Sequence, residues 1–444
     1  MLEEVKKTGK LDGFTFGRKK DLCESYFQKV TSMFKSANKG SDNIGVTLSV
    51  NMPGGGYSTG GERPLLSNHS NGIETLHTKT DATLLMKVDP ETLEPRGVTT
   101  QVKLHPALKG PFSAAHAKTD PKTGDLFNFN LEFKSKSIYR VFRTSLQTGN
   151  TEILATFPGK PAYLHSMFLT EKYVVLCVWN SHMSWNGISL LYNKNILDSI
   201  SPFDRSQKAT WYVVDRNGKG LVATYESEPF FCFHTINAWD QPSPSDPSET
   251  DIVCELSLYE NTDVMHTFYY DNLMKKNAEK KSLSCLPRCS QFRLPSVNAA
   301  RPPHMQPAEL IFKADPMISM ELPTINPKYL THKHRFTYGT VDRLKSSFMD
   351  GIVKFDNSTQ TAIFWDHEAH TPGEPIFIAD PEGTEEDDGV LLTVVLDGVA
   401  EKSYLLVLNA KDLTEVGRAQ MDGPMSFGFH GAHKAMGRPY AGDI

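Results

Sequence analysis

One recurring unit constrains this chain more than any other feature: a β-forming run, a short turn, and another β-forming run. Thr83–Val88 leads into Asp89-Pro90-Glu91-Thr92-Leu93, and Asp120-Pro121-Lys122-Thr123-Gly124-Asp125 leads into Leu126–Asn130. Trp211–Val214 leads into Asp215-Arg216-Asn217-Gly218, and Leu405–Leu408 into Asn409–Leu413. Aspartate, proline and glycine supply the turn dihedrals, and the flanking residues are β-branched or aromatic. Many short strands at such spacing predict an all-β closed array, and hairpins recurring around a ring predict a propeller. The repeats are too unlike for WD-type repeats, and the period does not set a blade number.

At 444 residues the chain exceeds the roughly 100–200 usual for one domain, but closed all-β folds often do. It is read as a single domain over 1–444, with 1–43 a partial N-terminal or covering segment and 240–290 an insertion. The formal charge of −5 and the absence of a Lys/Arg block exclude a nucleic-acid partner. No apolar run nears the roughly 20 residues that span a bilayer, and no signal peptide is visible at MLEEVKKTGKLDG. The six cysteines form no CxxC pair. Cys177 and Cys232 lie in apolar runs as buried thiols do, and Cys285 with Cys289 is at most half of a zinc site. A reducing, cytoplasmic setting is expected, with the protein able to rest on membranes or lipid bodies.

Asp21–Lys35 carries apolar residues near helical spacing and is read as a short helix or covering element. Gln241–Glu249 and Asn277–Arg288 read as exposed polar loops. Ser184–Phe203 carries Ile188, Leu190, Leu191, Ile196, Leu197 and Ile200 between polar residues. That is either an amphipathic element packed on the core or an apolar surface at a tunnel mouth, touching membrane or a lipid-like substrate.

Four histidines sit at strand edges or turns far apart in sequence: His116, His165, His234 and His430. Any one alone reads as a packed core residue. Together, drawn singly from distant strands, they suit a site at a ring's axis rather than a zinc finger or an HExxH helix, whose ligands cluster in sequence. Imidazole-only ligation suits a borderline ion such as Fe(II), Cu or Zn. A metal-bound imidazole donates its other N–H to an acceptor, and Asp81, Glu321 and Glu374 are candidate acids in apolar or turn settings. His367 and His370 read as surface loop, His332 and His334 as facing solvent from one strand face, and His433 as a mouth residue.

Seven motifs, in order, resemble the carotenoid cleavage oxygenases. They are Phe112–Phe129, Tyr163–Val175, Phe230–Asp240, Met320–Tyr329 with Arg335–Tyr338, Gly373–Leu396, Tyr404–Ala419 and Phe427–Gly431. The resemblance runs from about Ile44 to His430. It implies a seven-bladed β-propeller with a dome of loops and short helices over an axial Fe(II) held by His116, His165, His234 and His430. Asp81, where glutamate is commoner, Glu321 and Glu374 would accept from those imidazoles. Family members carry an N-terminal WFDG-like stretch and strand that help close the ring. This sequence begins after it, so a ring incomplete on that side, or closed otherwise, is expected.

The implied activity is a dioxygenase that cleaves one C=C bond of an apolar polyene with O₂ into two carbonyl products. Phe231, Phe233 and Phe427 are candidate tunnel-lining residues, with core packing the equal alternative. Gly45–Gly55, His77–Pro95 and the insertion after Trp239 look most like fungal members that cleave carotenoids such as torulene. A stilbene-cleaving enzyme, for which Lys79 would hold a phenol, an isomerase that incorporates no O₂, and a non-catalytic propeller are the alternatives.

Overall fold

The computed structural model describes residues 46–56, 73–193, 195–269, 272, 282–299, 305–346, 348–433 and 442–443. The recurring turn has one geometry. In Asp89–Leu93, Asp120–Gly124, Ser145–Gly149, Asp356–Gln360 and Asn409–Leu413 the fifth amide donates to the first carbonyl at 2.7–2.9 Å. In the three that begin with aspartate the first side chain accepts amides two and three residues on, as Asp89 does from Glu91 at 3.0 Å and Thr92 at 2.9 Å. The fifth residue has φ between 58° and 74°. Gly124 and Gly149 take this conformation freely, whereas Leu93, Gln360 and Leu413 pay about 1 kcal/mol or more each.

Among the described residues the short strands form six sheets, antiparallel except where Gln306–Pro307 joins the third in parallel. The first holds Thr47–Val50, Leu76–Lys79, Leu84–Val88 and Pro95–Thr100, with Gly442–Asp443 paired onto its first strand. The second holds Lys118–Thr119, Leu126–Glu132, Ile138–Thr144 and Thr151–Pro158. The third runs from Phe168–Leu169 through Tyr173–Val178 and Ala209–Asp215 to Leu221–Ser227, with Gln306–Pro307 alongside. The fourth holds Phe231–Pro242, Thr250–Tyr259, Arg288–Leu294 and Glu309–Lys313. The fifth holds Glu321–Thr324, Phe336–Val341, Gly351–Asp356 and Thr361–Trp365. The sixth is built on Gly389–Asp397 and Lys402–Asn409, with Glu415–Gln420 outside and the short strands His370–Pro372 and Ile376–Ala379 on the other edge.

Consecutive sheets sit side by side as propeller blades, and their leading strands meet. His116 bridges Ser166, and Phe231–Pro242 touches both Phe168–Leu169 and Glu321–Thr324. Strands covered on both faces lose the polar alternation of a one-sided sheet: Tyr173–Val178 is buried at every residue. One apolar cluster crosses the second, third and fourth sheets through Phe129, Trp211 and Phe292. Each such side chain contributes about 1.5–3 kcal/mol by leaving water. The all-β propeller arrangement expected from the turns is what is found, with six blades among the described residues.

Of the local expectations, some hold and others are corrected. Asp21–Lys35 lies outside the described residues. Gln241–Glu249 is the polar connection between Phe231–Pro242 and the buried central strand Thr250–Tyr259. The tail of Asn277–Arg288 is not a solvated loop. After the turn Leu283–Cys285, Leu286 is 3% exposed and lines an internal cavity, because its apolar side chain has that cavity to fill. His334 does not face solvent either. The chain after the turn Pro327–Tyr329 folds back between blades, and the His334 side chain is fully buried against Glu255, Nε2 to Oε2 3.0 Å. Among the described residues the cysteines are free thiols, and Cys285 and Cys289 join no cluster of ligands.

Candidate metal centre

Four short pieces of backbone aim four imidazoles at one place. His165 stands three residues before Phe168–Leu169, and its carbonyl accepts the His116 amide at 3.1 Å, which ties the second and third blades together. His234 lies in Phe231–Pro242, where the pairing with Thr250–Tyr259 is irregular between Cys232 and Thr235. Such a bulge re-aims a side chain. The Ser166 hydroxyl donates to the Phe233 carbonyl at 2.8 Å and accepts the Thr235 amide at 2.9 Å, so the bulge is pinned to the segment carrying His165. His430 follows the last blade in an irregular stretch held by the sixth sheet: the Glu374 amide donates to the Gly428 carbonyl at 3.0 Å. Gly373 permits that approach, since a Cβ there would stand 2.7 Å from the same carbonyl oxygen.

The rings of His116 and His430 are 4.3 Å apart, those of His116 and His165 4.8 Å, and those of His165 and His234 5.0 Å, all edge to face. One nitrogen from each lies within 4.8 Å of the others. Three of the rings are oriented by carboxylates, which only accept. His165 Nδ1–H donates to Asp81 at 2.7 Å, His234 Nδ1–H to Glu321 at 2.5 Å, and His430 Nδ1–H to Glu374 at 3.0 Å. In the neutral rings this leaves Nε2 as a bare lone pair. Accordingly His116 Nε2 and His430 Nε2 face each other at 3.0 Å, and His234 Nε2 is buried with no hydrogen-bond partner among the described residues.

Each carboxylate is itself held by a second donor. Asp81 accepts from the Tyr163 hydroxyl at 2.9 Å, Glu321 from the Leu322 amide at 3.0 Å, and Glu374 from the Gly431 amide at 3.0 Å. Burial, then the charges of its three neighbours, hold His116 well below the ordinary imidazole pKa. Burial also takes His234 down to about 4, against the pull of Glu321. Neutral imidazoles with inward lone pairs fit a cation. Without one, each buried unpaired nitrogen would cost about 1–3 kcal/mol. The donor set suits a borderline divalent ion.

The centre opens onto a cavity of about 620 Å³ whose wall includes His165, His234 and His430. Phe233 and Phe427 lie in its wall, joined by Phe112, Phe268, Phe348 and Phe429. Phe231 does not. It is fully buried and packs against Phe233, ring to ring at 4.7 Å, just ahead of the irregular pairing between Cys232 and Thr235. Leu190, Ile188 and Ile196 bring Ser184–Phe203 into the wall, while Trp185 (70% exposed) and Ile188 (56%) reach solvent. The segment therefore both packs on the core, through Leu197, and borders the cavity. Lys79 is buried in its strand, and the wall takes Thr80 and Asp81 instead. Tyr163 was not singled out in the sequence, although its place two residues before His165, in the same extended run, puts both on one side.

The profile of the retinal pigment epithelial membrane protein family matches residues 2–435. A carotenoid dioxygenase of Neurospora crassa is 39% identical over 99% of this chain and 77% of its own length. A torulene dioxygenase of Gibberella fujikuroi is 40% identical over 97% of this chain and 78% of its own. Among solved structures, a Synechocystis apocarotenoid oxygenase variant superposes with a TM-score of 0.63 at 20% identity, covering 81% of this chain and 72% of that one. The Pseudomonas brassicacearum lignostilbene dioxygenase gives 0.64 at 19%, covering 82% and 73%. At that identity the two structures speak for the fold alone. The extent of the family match, with two relatives near 40% identity over nearly the whole chain, places this protein in the retinal pigment epithelial membrane protein family of carotenoid oxygenases.

Proposed function

We propose that this chain is a non-haem Fe(II) dioxygenase that cleaves one C=C bond of a carotenoid, torulene or a β-carotene-like polyene, to aldehydes. The observation that carries the reading is the set of buried imidazoles whose carboxylate-bound Nδ1 atoms leave Nε2 directed at a common point in the wall of an apolar cavity. The named activities of the relatives near 40% identity support carotenoid as the substrate class. In this reading His116, His165, His234 and His430 hold the ion, and Asp81, Glu321 and Glu374 fix the orientation of three of them. Iron(II) supplies dioxygen activation, which a redox-silent ion such as zinc does not.

The protein's own share is placement. Four neutral ligands would leave the full charge of the ion uncompensated, at a centre whose residues His165, His234 and His430 also line the cavity. The aromatic wall takes up a conjugated chain and excludes water. The net reaction breaks the C=C and O–O bonds and forms two C=O bonds, so it needs no outside reductant. Trp185 and Ile188 support a peripheral membrane contact through which an apolar substrate enters without crossing water. Lys79, the group suggested for holding a phenol, is not among the residues that line the cavity, which favours the carotenoid reading over the stilbene one. We read the complete ring as seven-bladed, one blade more than the described residues hold, and an experimental structure counts the blades directly.

The test is product analysis with isotope-labelled O₂. Purified protein with Fe(II) should convert torulene or β-carotene to labelled aldehyde. Resveratrol cleaved with carotenoids untouched would make it a stilbene cleaver, and an unlabelled isomerised product would make it an isomerase. Protein that retains no iron would be a propeller without catalysis. His234→Ala should abolish iron binding.

A further inference from the structure

One donor that holds Glu321 differs in kind from those named for the other two acids. Asp81 is held by a side chain, Tyr163, and Glu374 by an amide 57 residues away. Glu321 is held by the next amide of its own chain: Leu322 N–H donates to Oε2 at 3.0 Å, the same oxygen that takes the proton of His234 Nδ1. A strand does not normally turn its next amide back onto the preceding side chain. Here it does so because Leu322 has φ 48° and the pairing of Glu321–Thr324 with Phe336–Val341 is irregular between Glu321 and Thr324.

That conformation is costly twice over. A leucine rarely occupies positive φ, and Leu322 precedes Pro323, whose ring confines the preceding residue to extended backbone. Strained backbone persists only where its surroundings over-determine it. The surroundings are visible. The Leu322 side chain is 3% exposed, and the Thr340 hydroxyl donates to the Glu321 carbonyl at 3.1 Å. The Ser257 hydroxyl donates to the Met320 carbonyl at 2.7 Å. Across the pairing, Gly339 lets the bend close: a Cβ there would stand 2.6 Å from the Glu321 carbonyl oxygen and 2.7 Å from the Met320 Cβ.

We propose that Leu322 is a positioning residue acting through its backbone. Its left-handed conformation, clamped by its own buried side chain and by the space at Gly339, locks the Glu321 carboxylate and thereby the orientation of His234. The inference rests on the metal-centre reading above and assigns a role that no contact with the ion would reveal.

The experiment compares Leu322→Ala with Leu322→Gly, using Co(II) as the probe metal and reading its visible spectrum and dissociation constant. Thermal melting of each variant checks the fold. Both variants delete the clamp. Only alanine retains the penalty for positive φ, so it relaxes and releases Glu321, whereas glycine keeps the conformation freely. Leu322→Gly should bind Co(II) within about threefold of the unsubstituted protein, and Leu322→Ala about 10–100-fold more weakly, the usual cost of losing a group that orients a metal ligand. An alanine variant that melts while glycine stays folded is the same ordering read in stability. Equal affinities, or glycine the weaker binder, would overturn the proposal. Failure of the unsubstituted protein to bind Co(II) would instead overturn the metal centre itself.

Discussion

His234 and Glu321, 87 residues apart, meet at 2.5 Å between Nδ1 and Oε2, and both positions are irregularities in otherwise paired strands. Each side chain leaves its strand's regular pleat to reach the other across a blade boundary. The pair is therefore a product of two bulges rather than of either strand's sequence pattern.

Replacing that carboxylate tests it. Glu321→Gln keeps the size and removes the charge that fixes the His234 proton. Iron affinity should fall about 10–100-fold while the melting temperature changes little. Metal content after dialysis, with circular dichroism as the check on fold, measures both. Unchanged iron would remove Glu321 from the centre.

Tyr163→Phe should leave Asp81 short of a donor in a buried site, since the phenol is its hydroxyl partner at 2.9 Å. Burial, and then the neighbouring Asp81 charge, push the phenol well above its ordinary pKa, so it stays a donor throughout the accessible pH range. A loss of about 1–3 kcal/mol in stability and weaker iron retention are expected from denaturant titration and metal analysis. The effect should be smaller than that of Asp81→Asn, which removes the acceptor of His165.

The His334–Glu255 pair predicts a pH dependence away from the centre. Burial alone would push both toward neutrality. The Glu255 carboxylate nevertheless raises His334 above 6.5, and His334, with Cys289 and Gln291, lowers Glu255 below 4.5. The glutamate contribution is complete above its ordinary value and is lost as pH falls through its depressed one. The histidine contribution is complete below its ordinary value and is lost as pH rises through its raised one. Stability should therefore be greatest between those ordinary values and decline on the alkaline side. Urea denaturation of Glu255→Gln should lack that alkaline decline and sit about 3–5 kcal/mol lower at its best.

Trp185→Glu tests the surface beside the cavity. The indole is 70% exposed and outside the cavity wall, so the change should not alter turnover of detergent-dispersed substrate. Sedimentation with phospholipid vesicles should fall several-fold, because an exposed tryptophan is an interfacial anchor. Undiminished sedimentation would argue against membrane contact through this segment.

The repeated turns were legible because they are local. Asp89, Asp120 and Asn409 announce their hairpins through their own amide contacts within a few residues. The four histidines and the three acids were legible through spacing and motif, and the structure gathers them. Phe231 was misplaced because it shares a strand with Phe233, and only the tertiary packing, beside an irregular pairing, decides which of the two meets the cavity. His334 was misplaced because a polar residue in a polar stretch gives no sign that the chain will fold back onto Glu255.

Local chemistry in the sequence determined the strands, the hairpin turns and which imidazoles were available, since dihedral preference and apolar patterning act over a few residues. Only the closing of the blades on one another decided that His116 faces His430, that Tyr163 steadies Asp81 and that Leu322 bends back onto Glu321. Those contacts join residues by packing and by irregular backbone, and neither has a period to be read along the chain.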